Sequence, residues 1–436
     1  MALASSLLRT RPTHGAIPNA AAAALSLRPA ICSGSTSCLQ NVLLRRALAG
    51  QRLGVTAAAG PSGPSPSSTV VVASELDVGY SSAQGARDTM EDEVQVHYNT
   101  VGHYLYAAVF DGHGGDMAAQ WLSKELHGQV ENCLCGRTVH GSKLPGSSSA
   151  AAGNNGNGAA STASAGSMSG TTGSGKGISS SDISAPQLIE SFHLADKALL
   201  KYLSDSGGEV AAGAGATATV VVIKDDKLVV ANVGDSQAVL SRRGNAVILA
   251  HYHRVYGSGA DVSAEIERVK SVGGWIDDGR VCGVLAVSRA FGDWEFKGEG
   301  LPRLLETGIE RGYWDSSFAA QQAFSADPVV ATPDVTETLL SEEDEFLIVA
   351  SDGLWDVLPP REAVQWARKE FKAKKDAAEV AASLTGLALK RYSTDNVAVV
   401  VVDLQGADFW SCKPKPPIKT VAGRKPGGMF GFLNKK

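Results

Sequence analysis

The chain has 436 residues, which is enough for one large domain or two ordinary ones. A formal net charge of -5 gives no electrostatic reason to expect nucleic-acid binding. The six cysteines form no Cys-x-x-Cys pair, so we expect neither a zinc site nor a disulfide framework. No apolar run approaches the roughly 18 residues that a membrane-spanning helix requires.

The N-terminal stretch differs in composition from the rest of the chain. Residues 1–74 contain six arginines and no lysine, and the first acidic residue is Glu75. The stretch is rich in alanine and serine and ends in a Pro/Ser/Gly run at 61–68. This composition is typical of an organelle transit peptide. We therefore predict a chloroplast transit peptide and linker at 1–68, with a mitochondrial address or a merely disordered tail as the alternatives.

The predicted elements lie between residues 70 and 404. We expect strands at 70–76, 94–98, 104–110, 217–224, 227–233, 237–242, 346–351 and 397–404, and helices at 116–133, 186–203, 264–272, 360–371 and 377–390. A stretch of Gly, Ala, Ser, Asn and Thr at 141–181 cannot bury apolar surface, so it is predicted to be a disordered low-complexity insertion. Many strands in short succession, with helices before and after them, favour stacked antiparallel sheets flanked by helices.

Acidic residues stand at the ends of four strong strand candidates. They are Glu91, Asp92, Asp111, Asp352 and Asp395. Carboxylates that converge at strand ends repel one another unless a cation neutralises them. An all-oxygen set of ligands suits Mg²⁺ or Mn²⁺ better than zinc or copper. A single aspartate is more often a turn residue or a solvated cap, but four such positions together predict a metal centre.

Three further residues stand beside these carboxylates. Gly112 lets the backbone pass close to an ion and can offer a bare carbonyl as a ligand. His113 could donate a proton to a leaving alkoxide. The planar guanidinium of Arg87 matches two phosphate oxygens. His113 could instead be an ordinary surface histidine and Arg87 an ordinary exposed arginine. Only the neighbouring motifs argue against these alternatives.

The motifs resemble, in order, those of the type 2C metal-dependent protein phosphatases. They are RDTMED (87–92), FDGHGG (110–115), ANVGDSQAVL (231–240), LAVSRAFGD (285–293), ASDGLWD (350–356) and STDNVAVVVV (393–402). The resemblance implies an α+β fold of two stacked antiparallel β-sheets flanked by α-helices, here at residues 69–405. It also implies a protein serine/threonine phosphatase that holds two Mg²⁺ or Mn²⁺ ions.

The resemblance also implies a role for each residue that matches a motif. Asp111 would bridge both ions, and the Gly112 carbonyl would bind one of them. Asp352 and Asp395 would hold one ion, while Glu91, with Asp92 beside it, would support the other through water. Arg87 would orient the phosphate, a metal-activated water would attack phosphorus directly, and His113 would protonate the leaving oxygen.

The sequence departs from the family pattern at one position. Many relatives carry Asp-His-Lys-Pro after the strand meander, and that aspartate contributes to a third metal site. Tyr252 stands at its place here, which leaves a third ion in doubt. We interpret the histidines at 251 and 253 as surface-loop residues, Asp235 as a turn residue, and Arg289 with Asp293 as an internal structural pair.

Two stretches, 273–293 and 324–335, resemble thylakoid-associated members of the family. Those members remove phosphate from light-harvesting complex II antenna proteins and so reverse state transitions. Segment 294–326 would then be an enlarged flap beside the active site. Its aromatic residues, which either contact substrate or simply pack, are Trp294, Phe296, Tyr313 and Trp314.

The C-terminal segment 406–436 is predicted to be a basic tail. Residues 411–436 contain seven basic residues and no acidic one. Such a tail could hold the protein on the anionic surface of the thylakoid membrane, or it could be disordered and solubilising. A monomer is the default expectation for the oligomeric state.

Three other functions remain open at this point. A catalytically dead domain could act as a binding module, although it would be expected to have lost metal carboxylates. A small phosphorylated metabolite could replace the protein substrate. A stromal phosphatase could act on other phosphoproteins.

Overall fold

The computed structural model describes residues 76–135, 183–208, 211 and 213–411. The chain divides into two units, Met1–Ser67 and Ser68–Lys436, and every described residue belongs to the second. The predicted transit peptide, the low-complexity insertion and the tail beyond residue 411 lie outside the described residues.

The described strands are β1 (Asp77–Ala83), β2 (Glu93–Asn99), β3 (Tyr104–Phe110), β4 (Gly112–His113), β5 (Gly215–Ala216), β6 (Ala218–Lys224), β7 (Lys227–Val233), β8 (Gln237–Arg242), β9 (Asn245–Ile248), β10 (Ile276–Asp277), β11 (Arg280–Val281), β12 (Phe291–Gly292), β13 (Asp334–Leu339), β14 (Asp344–Ala350) and β15 (Val397–Asp403). The helices are α1 (Met117–Leu134), α2 (Ala185–Ser206), α3 (Ala260–Ser271), α4 (Leu301–Glu310), α5 (Ser316–Ala319), α6 (Asp352–Trp355), α7 (Pro360–Lys372), α8 (Ala377–Lys390) and α9 (Ala407–Ser411).

Two five-stranded antiparallel sheets form the centre of the fold. One has the strand order β1-β15-β14-β8-β9 and the other has the order β13-β7-β6-β3-β2. Two smaller sheets accompany them, β12-β5-β4 and the hairpin β10-β11. This arrangement confirms the predicted α+β class with stacked antiparallel sheets.

Side-chain alternation along the central strands explains the layers. On β3, Leu105, Ala107 and Val109 belong to a core cluster shared by both large sheets. Tyr104 and Phe110, which point the opposite way, pack with residues of α1 and α2. The other sheet packs its outer face against α7 and α8. Strands covered on both faces read as continuous apolar runs, which is why the sequence identifies them clearly.

The first strand was missed by the sequence analysis. A strand was expected at 70–76, nearly all of it outside the described residues, whereas β1 runs from Asp77 to Ala83. Its sequence, DVGYSSA, contains few β-forming apolar side chains. It is a strand because its backbone pairs along its whole length with the fully buried β15.

Segment 294–326 forms its own layer with α3. Phe296, Leu304 and Trp314 pack with Val269 of α3 in a separate apolar cluster. The chain also stays folded past the predicted domain boundary at residue 405. Trp410 of α9 stacks on Phe371 with ring centroids 4.9 Å apart. Among the described residues, no helix is both long enough and apolar enough to cross a membrane.

Candidate metal centre and active site

One cavity of about 370 Å³ collects most of the predicted site residues. Seven of the eight line it: Arg87, Glu91, Asp111, Gly112, His113, Asp352 and Asp395. They come from segments up to 308 residues apart in the chain, so only the tertiary fold brings these segments together.

The eighth predicted residue, Asp92, is not among the residues that line the cavity. Its side chain is buried and accepts a hydrogen bond from the Ser351 hydroxyl at 2.7 Å. Burial raises the pKa of Asp92 to about 7. Asp92 therefore lies outside the cavity and supports Ser351, the residue that precedes Asp352.

Three carboxylates converge inside the cavity. Asp111 follows β3, Asp235 lies in the turn between β7 and β8, and Asp352 begins α6 after one intervening residue that follows β14. One oxygen of each lies within 4.8 Å of the others, a spacing at which all three could hold one metal ion. Asp235 does lie in a turn, as the sequence indicated, but its carboxylate also belongs to this cluster. It also stands at the end of an apolar strand, and that signal could have identified it.

The negative charges of these three carboxylates lie close enough together to favour binding of a cation. Burial raises the pKa of Asp111 well above its usual range, and the neighbouring carboxylates, among them Asp352 and Asp235, raise it further. Burial, followed by repulsion from Asp235, raises the pKa of Asp352 to about 8. A divalent ion would restore the ionised forms, because an opposite charge at this distance favours a carboxylate. The donors are all oxygens, which fits Mg²⁺ or Mn²⁺.

Arg87 lies at the mouth of the cavity. Its Nη2 donates to Asp395 Oδ2 at 2.6 Å, and its side chain is 60% exposed. Asn396 fixes the loop that carries it, since the side-chain amide donates to the carbonyls of Gln84 and Thr89 at 2.7 and 2.9 Å. A mostly exposed guanidinium on an anchored loop is available to an incoming anion.

His113 has a carboxylate partner that the sequence analysis assigned elsewhere. Its Nε2 lies 2.9 Å from both oxygens of Asp293. Burial alone would lower the pKa of His113, but Asp293 raises it above its usual value. The pair can therefore keep a proton on the imidazole beside the carboxylate trio, as a general acid requires.

The predicted internal pair of Arg289 with Asp293 is therefore wrong. Arg289 instead binds Glu265 of α3, with Nη2 at 2.7 Å from Oε1, and Asp334 of β13, with Nη1 at 2.8 Å from Oδ1. Both partners are distant in sequence, and nothing in the local pattern distinguished these contacts from the expected one.

The two histidines after β9 have different environments. His251 is exposed, as expected, but His253 is buried. The Nδ1 of His253 accepts a hydrogen bond from the backbone of Gly234 at 3.1 Å, which supports the turn that presents Asp235. The surface-loop interpretation of His253 was wrong, because this residue braces the site from behind.

The residues around Tyr252 also contribute to the site. The side chain of Arg254 is only 10% exposed. Its Nε donates to Asp235 Oδ2 at 2.8 Å, and its Nη2 lies 3.3 Å from Asp352 Oδ2. This arginine, which the sequence analysis did not single out, contacts two members of the carboxylate trio.

Comparison with known proteins agrees with this geometry. A family model described as Protein phosphatase 2C matches residues 176–397. The chain is 38% identical over 336 residues to Protein phosphatase 2C 57 of Arabidopsis thaliana, covering 77% of this chain and 76% of that protein. It is 31% identical over 333 residues to Probable protein phosphatase 2C 69 of the same plant, covering 75% and 70%.

Solved structures show the same fold at low sequence identity. A phosphatase from Toxoplasma gondii has a TM-score of 0.50 at 19% identity, covering 75% of this chain and 94% of that one. A sex determining protein of C. elegans has a TM-score of 0.54 at 21% identity, covering 77% and 67%. The family match and the two relatives from Arabidopsis thaliana show that the chain belongs to the protein phosphatase 2C family and is a metal-dependent serine/threonine protein phosphatase.

Proposed function

We propose that this phosphatase acts on chloroplast phosphoproteins, with the light-harvesting complex II antenna proteins of the thylakoid as its substrates, and that the cavity described above is its active site. The observation that carries the assignment of the site is the convergence of three strand-end carboxylates beside the His113–Asp293 pair.

The cavity residues fit two Mg²⁺ or Mn²⁺ ions. Asp111, Asp352 and Asp395, with the carbonyl of Gly112, would hold them, Glu91 would support them through water, and Asp235 joins this set because of its distance from Asp111 and Asp352. When bound, such ions neutralise the carboxylates and the phosphate and lower the pKa of a water molecule.

The chain's own residues perform the remaining steps. Arg87 binds the phosphate oxygens at the cavity mouth, where its exposed guanidinium can form two parallel hydrogen bonds. His113 donates its Nδ1 proton, on the ring nitrogen that does not face Asp293, to the serine or threonine oxygen as the ester bond breaks. Asp293 orients the ring and stabilises its protonated form.

A second cavity, of about 570 Å³, supports a protein substrate over a small metabolite. Trp275 and the flap residue Trp314 lie on its wall with ring centroids 5.2 Å apart, and Tyr313 is 56% exposed there. Asp277 lines the same cavity. Its partner across the β10-β11 hairpin, Arg280, lines the active-site cavity, so one hairpin contributes to both cavities. An extended polypeptide could fill both at once, whereas a sugar phosphate fills only one.

The other flap aromatics have different surroundings. Phe296 is buried within the flap cluster, so it packs. Trp294 lines a separate small cavity next to the end of α2. Within the flap, we therefore assign substrate contact to Tyr313 and Trp314.

The proposed location rests on composition and resemblance. The arginine-rich, acid-free residues 1–68 are typical of a transit peptide, and stretches 273–293 and 324–335 resemble thylakoid-associated phosphatases. The basic segment 411–436 would support peripheral contact with the anionic membrane surface. Import of the labelled full chain into isolated chloroplasts, compared with import into isolated mitochondria, tests the proposed chloroplast location.

The substrate is tested on isolated phosphorylated thylakoids. We expect the full chain with Mn²⁺ or Mg²⁺ to remove phosphothreonine from the antenna bands, and Asp111→Asn to leave them unchanged. If the chain dephosphorylates a phosphothreonine peptide but leaves the phosphothreonine of the antenna bands unchanged, the enzyme class stands and the proposed antenna substrate is contradicted. Faster turnover of sugar phosphates than of the peptide would favour the metabolite alternative.

A further inference from the structure

Arg254 is a buried cation that faces three carboxylates at one edge of the cavity. Its Nε donates to Asp235 Oδ2 at 2.8 Å, and its Nη2 lies 3.3 Å from Asp352 Oδ2. Both terminal nitrogens lie 3.4 Å from Asp356 Oδ1. The side chain of Arg254 is 10% exposed and that of Asp235 is 7% exposed, whereas Asp356 is 57% exposed, so the contact with Asp235 lies largely out of water. Such a guanidinium stays charged at any physiological pH.

Its surroundings hold the guanidinium in place. The Arg254 Cζ lies 4.7 Å from the ring centroid of Tyr252 and 5.0 Å from that of Tyr256, so two aromatic faces flank it. The backbone of Arg254 forms an antiparallel bridge with Val287, a residue that lines the active-site cavity. Moving the side chain out would cost both ring contacts and all three carboxylate contacts.

We infer that Arg254 is a positioning residue that serves as a permanent cation for Asp235, Asp352 and Asp356, so that these carboxylates bind no metal ion beyond those of the active centre. The inference rests on the proposed active site. A divalent cation among the same carboxylates would be repelled by the guanidinium and would have to displace it. Tyr252, which stands where a ligand aspartate would be needed, supplies a ring to the arginine instead.

The second consequence concerns the active centre itself. Arg254 contacts only the Oδ2 atoms of Asp235 and Asp352, and a carboxylate can offer its other oxygen to a metal ion. The arginine therefore orients two proposed ligands beside Asp111. Partners of this kind typically contribute tenfold to a hundredfold to metal affinity.

The test counts metal ions on the full chain. The chelated protein is titrated with Mn²⁺, and free Mn²⁺ is followed by electron paramagnetic resonance. We expect Arg254→Ala to bind one more ion than the wild type and to bind the original ions at least about tenfold more weakly. Adding Tyr252→Asp to Arg254→Ala should tighten the extra site. Millimolar guanidinium chloride should expel the extra ion, because it refills the space of the missing side chain.

Arg242→Ala is the matched control. Arg242 also forms a two-nitrogen contact with a buried carboxylate, Asp344, but it does not line the active-site cavity. Its removal should leave the ion count and affinity unchanged. Arg254→Lys keeps the charge and should keep the wild-type count, which provides a second variant if Arg254→Ala does not fold.

The possible outcomes distinguish a failure of the proposed active site from a failure of the role inferred for Arg254. A wild-type chain that binds no Mn²⁺ would overturn the proposed active site together with this inference. A wild type that binds Mn²⁺, with an unchanged count in folded Arg254→Ala and in the double variant, would overturn the inference alone. An additional ion in Arg254→Lys would overturn the role of the charge.

Discussion

A substitution at Gly215 can displace the proposed general acid, His113, although His113 and Asp293 themselves are left unsubstituted. It lies in β5, where it pairs with His113 on one side and Gly292 on the other. A Cβ atom at this position would lie 2.3 Å from His113 Nε2 and 2.5 Å from Asp293 Oδ2. Ordinary contacts begin near 3.4 Å, so Gly215→Ala must push both groups away by about 1 Å.

The expected effect follows from this displacement. The His113–Asp293 contact at 2.9 Å cannot survive it, and a misplacement of about 1 Å can cost a hundredfold in rate. We therefore expect Gly215→Ala to lower kcat/KM on a phosphothreonine peptide by about 100-fold. On p-nitrophenyl phosphate, whose leaving group needs no proton, the loss should be several-fold at most.

The assay compares both substrates at saturating Mn²⁺, with Mn²⁺ affinity measured in parallel. Gly128→Ala is the matched control, because Gly128 is exposed on α1 and its added Cβ would meet nothing within 4 Å. That variant should keep full activity and gain about 0.5–1 kcal/mol of stability. Unchanged peptide turnover in Gly215→Ala would refute the reasoning, as would equal losses on both substrates with normal Mn²⁺ binding.

Three further predictions follow from the described contacts. Asp235→Asn should weaken Mn²⁺ binding at least about tenfold in a titration. Asp205→Asn, on the exposed end of α2, is the control and should not weaken it. Equal Mn²⁺ affinities in the two variants would show that Asp235 is not a metal ligand. Burial would raise the pKa of Glu265, but Arg289 and other partners lower it to about 2 from 4.5, so its stabilising contribution is complete above pH 4.5 and is lost as the pH falls toward 2. Glu265→Gln should therefore cost about 3 kcal/mol in urea unfolding at pH 7 and clearly less at pH 3, and a cost independent of pH would contradict the assignment. Gly79→Ala should lower the free energy of unfolding by about 2 kcal/mol, because its Cβ would lie 2.0 Å from the backbone nitrogen of Ala378 near the start of α8. Urea unfolding measures this loss, and an unchanged urea midpoint would show that β1 and α8 can move apart without cost.

The sequence by itself determined the central strands and the main carboxylates. β3 and β15 are continuous apolar runs because both faces of each are buried, and such runs are visible without a structure. Asp111 directly follows β3 and Asp352 follows β14 after one intervening residue, so their positions at one end of the sheets could be expected. The order of the motifs added the family and with it the chemistry.

Only the tertiary structure decided the partners of these residues. Asp293 reaches His113 because β4, β5 and β12 align in one small sheet, a pairing that joins segments 180 residues apart. Arg254 reaches Asp235 and Asp352 because the segment after β9 folds back over the cavity edge. Hydrophobic periodicity reports which face of an element is buried, but a charged side chain's partner depends on strand register and on loop paths. Those are set by the packing of the whole domain, and no local pattern in the chain records them.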